Sequence, residues 1–304
     1  MDSSSNASRP ARLAVGVVGV GRVGAVLAAA LARAGHDVVA VSAVSKASRA
    51  RAADLLPGVP IVCVDEVLAQ AGLVLLTVPD DALPDLVGGL ATTGEIRRGV
   101  LMAHTSGRHG LEVLAPASRA GALPLALHPV LPFAGTRVDL ERLHGTSFGV
   151  TAPEPLRAVA EALVVEMGGE PVWLTEEQRP VWHAALAHGA NHLTTLVASA
   201  ADLLRAIGVE QPASVLGPLL GAALDGSLRS GDAALTGPVV RGDAGTVRAH
   251  LVALAHVAPE VLPAYVAMAR LTADRALASG RLDPARASAL LEVLASTPSG
   301  SGPR

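Results

Sequence analysis

Among its 304 residues the chain has one cysteine, Cys63, and one lysine, Lys46. A lone cysteine cannot close an internal disulfide and excludes a zinc site built from several thiolates, so a cytoplasmic location is expected. An excess of positive charge is also missing: 24 Lys and Arg face 27 Asp and Glu, for a net charge of −3 and a pI near 6.4. With no global positive field, neither nucleic acid nor an anionic membrane surface is expected as a partner. Mean hydropathy is +0.44, yet no long run suits lipid. The longest informative uncharged stretch, residues 181–201, contains His183, His188, Asn191, His192, Thr194, Thr195 and Ser199. That is too polar for a lipid-facing helix, and it reads as a helix buried inside protein. MDSSSNASRPAR at the start lacks the apolar stretch of a signal peptide, and STPSGSGPR at the end is a Ser/Pro/Gly tail. Residues 1–11 and 297–304 are therefore expected to be disordered.

What the chain does have is hydrophobic mass, 50% of its residues, enough to fill two domains of roughly 100 to 200 residues each. From Leu13 short β-branched runs alternate with longer helical ones, the rhythm of a parallel sheet with crossover helices. Strands are expected at 13–18, 38–44, 60–64, 73–78, 100–104, 123–128, 147–151 and 171–174, with helices at 25–34, 65–71 and 155–167 between them. After Thr175 the strand signal stops, and helices are expected at 176–207, 215–229, 244–256, 259–279 and 284–294. The expected fold is α/β over residues 12–175, a mostly parallel sheet with helices on both faces, followed by an all-α domain over 176–296.

The stretch LAVGVVGVGRVGAV places Gly19, Gly21 and Gly24 in G-x-G-x-x-G spacing after an apolar strand and before a helix. Gly19 permits a tight turn, Gly21 lets backbone approach a pyrophosphate, and Gly24 lets the helix pack closely on the sheet. Together with Val20, Arg22 and Val23 they form a dinucleotide-binding turn at a helix N-terminus. An NAD-type site would carry an acid at the carboxyl end of the next strand. Asp37 lies before that strand, on the far side of the sheet from the turn; the correct end offers Ser42, Ser45, Lys46 and Arg49. These can hydrogen-bond and neutralise a 2′-phosphate, so NADP(H) is the expected cofactor. The alternative is a solvated basic loop, and Gly24, where many NADP sites have Ala, speaks for it.

The fourth and fifth strands end in Val78-Pro79-Asp80-Asp81 and His104-Thr105-Ser106, at the carboxyl edge where open α/β sheets bind ligands. Val78 and Pro79 are placed with the cofactor and Asp80 and Asp81 as caps of the next helix; His104 and Ser106 either line the cofactor or substrate pocket or are satisfied polar strand ends, and His128, ending the sixth strand at the same edge, has the same two readings. GTSFG, residues 145–149, imitates the G-x-S-x-G of serine hydrolases, but Ser147 begins a strand where that motif needs a strand before it and a helix after. His188 and His192 sit one turn apart with no third ligand in view, and no metal is assigned. His188, Asn191, His192, Thr195, Ser199 and Asp202 form a polar stripe along one helix face, which lines either a ligand cleft or a polar seam. Asp243 reads as a helix cap and Arg241 as a grip for a carboxylate or a partner of a surface acid.

The glycine turn, TVPDDAL, HTSG, LHPV, GANHL and LTGPVVRGD follow one another in this order over nearly all of residues 12–295. In this the chain resembles the short-subunit dehydrogenase-like proteins, which join a Rossmann-like domain to a C-terminal helical domain of unknown function. That domain is similar to the dimerising C-terminal domain of the 6-phosphogluconate dehydrogenase superfamily, and some members resemble ketopantoate reductase. The resemblance implies an NADP(H)-dependent oxidoreductase acting on a small carboxylate substrate and a homodimer formed through the helical domain. One position departs from it. β-Hydroxyacid dehydrogenases have a lysine acid/base four residues before the asparagine that Asn191 matches, and here that residue is Ala187. Either a histidine replaces the lysine, or the reaction needs no strong acid, as in imine reduction, or the protein is a non-catalytic NADP(H)-binding sensor or assembly protein. The leading expectation is reduction of a 2-oxo or imino acid, with His128 or His188 as proton donor, Asn191 orienting the substrate and Arg241 holding its carboxylate.

Overall fold

A computed structural model of the chain describes residues 12–296. The ends expected to be disordered, 1–11 and 297–304, lie outside the described residues. The chain divides after His188 into two compact units. The first holds seven strands: β1 (Ala14–Val18), β2 (Asp37–Ser42), β3 (Leu73–Leu76), β4 (Leu101–His104), β5 (Leu123–Pro129), β6 (Ser147–Thr151) and β7 (Glu170–Trp173). They form one sheet in the order β2-β1-β3-β4-β5-β6-β7. β1 to β5 run parallel; β6 is antiparallel to β5 and parallel to β7.

The strands read as continuous apolar runs because both faces of the sheet are covered. On β3, Leu73 and Leu75 enter one core while Val74 and Leu76 enter the other, as the two-residue period requires. The first core lies under α1 (Arg22–Arg33), α2 (Lys46–Leu55), α6 (Arg137–Arg142) and α7 (Arg157–Glu166); the second lies under α3 (Val64–Gln70), α4 (Leu83–Thr93) and α5 (Ala115–Arg119). In α1 every residue from Gly24 to Leu31 is buried, and its Ala-rich sequence lets the helix lie close to the strands. A last helix, α8 (Arg179–Leu186), belongs to this unit, anchored by the fully buried Arg179. The unit boundary therefore falls beyond residue 175, where the strand pattern ends.

The second unit is helical: α9 (His192–Ala206), α10 (Pro212–Ser230), α11 (Ala244–Val257), α12 (Leu262–Ala278) and α13 (Pro284–Ala295). The last three share a core of Val247, Leu251, Ala269, Ala273, Leu290 and Val293. α9 and α10 leave Leu196, Leu219 and Leu228 in solvent, the last 80% exposed. No described helix is long and apolar enough to cross a membrane.

Three local expectations are corrected and one helix is added. Residues 60–64 make only a single bridge, Ile61 to Val41, because the helix-forming VDEVLAQ, with Asp65 and Glu66 in its first turn, takes over at Val64. Residues 46–55, given no element from the sequence, are helix: Ser48, Ala52 and Leu55 face inward at helical spacing. The long helix from 176 is broken into α8, a π-helical turn at Ala187–Asn191, and α9. The stretch read as buried is open: Val181 is exposed and no residue of α9 is buried.

Candidate functional site

The turn between β1 and α1 has the geometry its glycines suggest. Gly19 has φ +89°, which a side chain would strain. A Cβ on Gly24 would overlap the Thr77 hydroxyl, which donates to the Gly19 carbonyl at 2.6 Å. Helix–strand packing thus accounts for Gly24, and its bearing on cofactor choice disappears. At Gly21 an added Cβ would meet nothing nearer than 3.9 Å, so backbone is laid open. Gly21 is the N-cap of α1 without a side-chain cap, and the first turn holds no acid. The turn sits where β2 and β3 leave β1 on opposite sides, the switch point of such sheets. Its free N–H groups and helix dipole suit a pyrophosphate. Arg22 is exposed at the head of the helix, Val23 half-buried, and Val20 a core residue that presents only backbone.

The register Ala14↔Asp37 and Val18↔Ser42 puts Asp37 at the amino end of β2, away from the turn, and Ser42 beside it. Ser42 holds the turn itself: its hydroxyl accepts from Gly19 N–H at 3.1 Å and its carbonyl from Val20 N–H at 3.0 Å. Ser45 caps α2, accepting from Ser48 N–H at 3.0 Å. Both serines therefore support the loop. Lys46 and Arg49 project exposed from the first turns of α2, with Arg49 Nε donating to the Ala43 carbonyl at 3.4 Å. Val78 packs on the turn and Pro79 is exposed beside it.

At the ends of β4 and β5 His104 and Ser106 sit in a buried polar cluster. His104 is fully buried; its Nδ1 accepts from Ser106 N–H at 3.2 Å, which leaves Nε2–H to donate to the Gly110 carbonyl at 2.8 Å. Burial pushes its pKa down to about 3, and the neutral ring acts as a clasp for the loop 105–111. Ser106 Oγ accepts from His109 N–H. Asp80 and Asp81 cap nothing; they face Arg108, with Arg108 Nη2 2.8 Å from Asp81.

The organiser of this edge is Arg179, which the sequence reading missed. Its guanidinium donates to Thr151 Oγ1 at 2.8 Å and to the carbonyls of Ser106, Ala126 and Gly149 at 2.9–3.0 Å. It thereby ties β5, β6 and the β4 loop together. Burial lowers its pKa to about 10, still cationic at neutral pH, with Glu176 opposing the shift. One turn along α8, Trp182 Nε1 donates to His128 Nδ1 at 3.1 Å. Trp182 also packs where a Cβ on Gly149 would lie, which explains the second glycine of GTSFG; Ser147 opens β6, without the geometry of a nucleophile. His183 meets His128 edge to face at 5.9 Å between ring centres, and Gly107 lies against both rings. The tryptophan bond fixes the His128 proton on Nε2. Burial, the neighbouring His183 and Arg179 push its pKa down to about 4. The fold thus makes His128 a neutral imidazole with a donor N–H. Arg179 and Trp182 carried one sequence signal, an arginine and one of two tryptophans heading an otherwise apolar helix.

His188 closes the first unit, exposed, in the π-helical turn. Asn191 ends that turn in the second unit, also exposed. Among the described residues no group of three or more His, Cys, Asp or Glu is placed to hold a metal ion. Asp243 caps α11 through Thr246 N–H at 3.0 Å, as its place in the sequence suggests. Arg241 is exposed on the wall of a cavity within the second unit.

Residues 1–129 match the family model of the Rossmann-like domain, and residues 146–272 that of a domain of unknown function (DUF2520). No curated protein matches the chain. Among solved structures it is similar to a Bacteroides fragilis protein named as an NADP oxidoreductase, at 23% identity and TM-score 0.74 over 86% of this chain and 98% of that one. It is also similar to a Plasmodium falciparum pyrroline carboxylate reductase with NADP bound (12%, TM-score 0.57, 88% and 97%) and to an imine reductase from Pseudomonas sp. (19%, TM-score 0.56, 93% and 93%). At these identities the likeness is one of fold. The chain thus joins a Rossmann-like domain to a DUF2520 domain.

Proposed function

We propose that this protein is an NADP(H)-dependent reductase of a small 2-oxo or imino acid, ketopantoate-like or cyclic-imine-like. The observation that carries this reading is the glycine turn: an uncapped helix N-terminus with open backbone at Gly21, at the switch point of a parallel sheet. The fold neighbours named for NADP or for imine reduction support it. Gly19 and Gly21 would shape the turn so that Arg22 and the first-turn N–H groups of α1 hold the pyrophosphate, and Lys46 and Arg49 would hold the 2′-phosphate. The bound nicotinamide supplies a hydride to a C=O or C=N carbon.

The chain's own residues have the other tasks. His128 offers Nε2–H to the substrate oxygen or nitrogen as a neutral donor, held in that tautomer by Trp182. A neutral donor is weaker than an imidazolium: it hydrogen-bonds a carbonyl oxygen or an unprotonated imine nitrogen, and the proton of the product comes from water. A second copy of this chain is the partner we assign to the exposed leucines of α9 and α10. The depressed pKa of His128 also favours a second reading, an NADP(H)-binding sensor without turnover.

Following NADPH oxidation across a panel of 2-oxo and imino acids that includes ketopantoate, with NADPH and NADH titrated in parallel, tests the proposal. Turnover that falls at least tenfold in His128→Ala is the expected result. NADH binding as tightly as NADPH removes the cofactor assignment, and NADPH binding without turnover of any substrate selects the sensor.

A further inference from the structure

Within the second unit an open cavity of about 910 Å³ is walled by the loop 235–242, the end of α12 and the start of α13. Its size is that of small-molecule sites, which run to about 1,000 Å³. Three guanidinium side chains line it, Arg241, Arg281 and Arg286, together with the hydroxyl-bearing Thr236. Close backbone packing holds this wall together. Gly242 has φ +65° and a Cβ there would run into Arg286 Cβ at 2.6 Å, so the loop carrying Arg241 lies directly on α13. Arg286 Nη1 reaches the Arg241 carbonyl at 3.4 Å and Arg281 Nη2 the Leu235 carbonyl at 3.3 Å.

The acids nearby offset the cluster only in part, one wall carboxylate against three guanidinium groups. Asp283, the one acid on the wall, spends its Oδ1 on the N–H groups of Ala285 and Arg286 at the start of α13. Asp243 feels Arg241, but its carboxylate is bonded to Thr246. None of the three arginines takes part in an ion pair among the described residues.

Three like charges brought around one cavity repel one another unless an anion is bound, and planar guanidinium forks match carboxylate and phosphate oxygens. We infer that this cavity binds a small molecule carrying two or more carboxylate or phosphate groups. One carboxylate, the need of a simple 2-oxo acid, would engage a single fork and leave the others unmatched. The inference rests on nothing in the reductase reading.

Isothermal titration of the full chain with citrate, pyrophosphate and, as a monoanion control, acetate tests it; the first two arms separate carboxylate from phosphate ligands. Citrate or pyrophosphate is expected to bind at least about tenfold more tightly than acetate. That binding should disappear in the double variant Arg281→Ala/Arg286→Ala while NADPH affinity is unchanged. Should the double variant fail to fold, each single variant is expected to lose about tenfold. Binding no better than acetate, or binding that persists in the variants, overturns the inference. A wild-type chain that binds citrate or pyrophosphate but no NADPH counts against the reductase alone.

Discussion

Acid should unfold the first unit through two histidines the fold keeps neutral. His104 has its pKa lowered to about 3 and His128 to about 4, both by burial first. In the unfolded chain each returns to about 6.5. A depressed folded-state value means that the unfolded state takes up the proton first. Stability is complete above pH 6.5 and falls as the pH drops toward the folded values, by up to about 1.4 kcal/mol per pH unit for each group. Between pH 7 and pH 5 each histidine removes about 2 kcal/mol, so the pair removes about 4 kcal/mol. That is a large part of the roughly 5–15 kcal/mol available to a domain. Urea unfolding followed by tryptophan fluorescence reads this unit alone, because Trp173 and Trp182 both lie in it. His104→Ala costs stability at every pH, but the loss between pH 7 and pH 5 should shrink to about half, near 2 kcal/mol. A variant with the wild-type loss over that interval would show that His104 is not among the groups responsible, and the reasoning from its burial would fail.

Gly24→Ala should destabilise the first unit by about 1–3 kcal/mol through overpacking against Thr77 and the Gly19 carbonyl, with a matching rise in the dinucleotide Kd as the turn shifts. Thermal unfolding and NADPH titration check both. Lys46→Ala combined with Arg49→Ala should weaken NADPH binding by about tenfold or more and leave NADH binding unchanged; equal losses for both cofactors would mean that neither side chain meets the 2′-phosphate. Trp182→Phe removes the donor to His128 Nδ1 and should let the ring populate the other tautomer, seen by NMR of the imidazole nitrogens; an unchanged tautomer would remove Trp182 from its positioning role.

Much of the first unit could be read from the chain because its signals are local. Short continuous apolar runs announce strands buried on both faces, and the spacing of Gly19, Gly21 and Gly24 announces a strand-to-helix turn whatever surrounds it. Asp37 was assigned to the wrong end of β2 for an acid of the ribose type by counting residues along one strand, and the register confirms the count. The short helix α2 went unread because its inward stripe is only Ser48, Ala52 and Leu55 among charged neighbours. The candidate site was less accessible. His104 and His128 are identical as letters, and both end strands at the same edge. One becomes a sealed clasp for the loop that follows it, and the other a neutral imidazole held by Trp182, 54 residues further along the chain.

The sequence by itself determined the alternation that builds the sheet, the glycine turn, the basic character of the segment after β2, and the absence of any lysine from the helical region. All of these depend on residue type and short spacing. Only the tertiary structure decided that Arg179 ties three segments of the sheet edge, that Trp182 sets the tautomer of His128, and that Arg241 stands with Arg281 and Arg286 around one cavity. Burial, proton affinity and the meeting of like charges are properties of a side chain's surroundings. Those surroundings come from residues tens of positions apart, which nothing but the folded chain brings together.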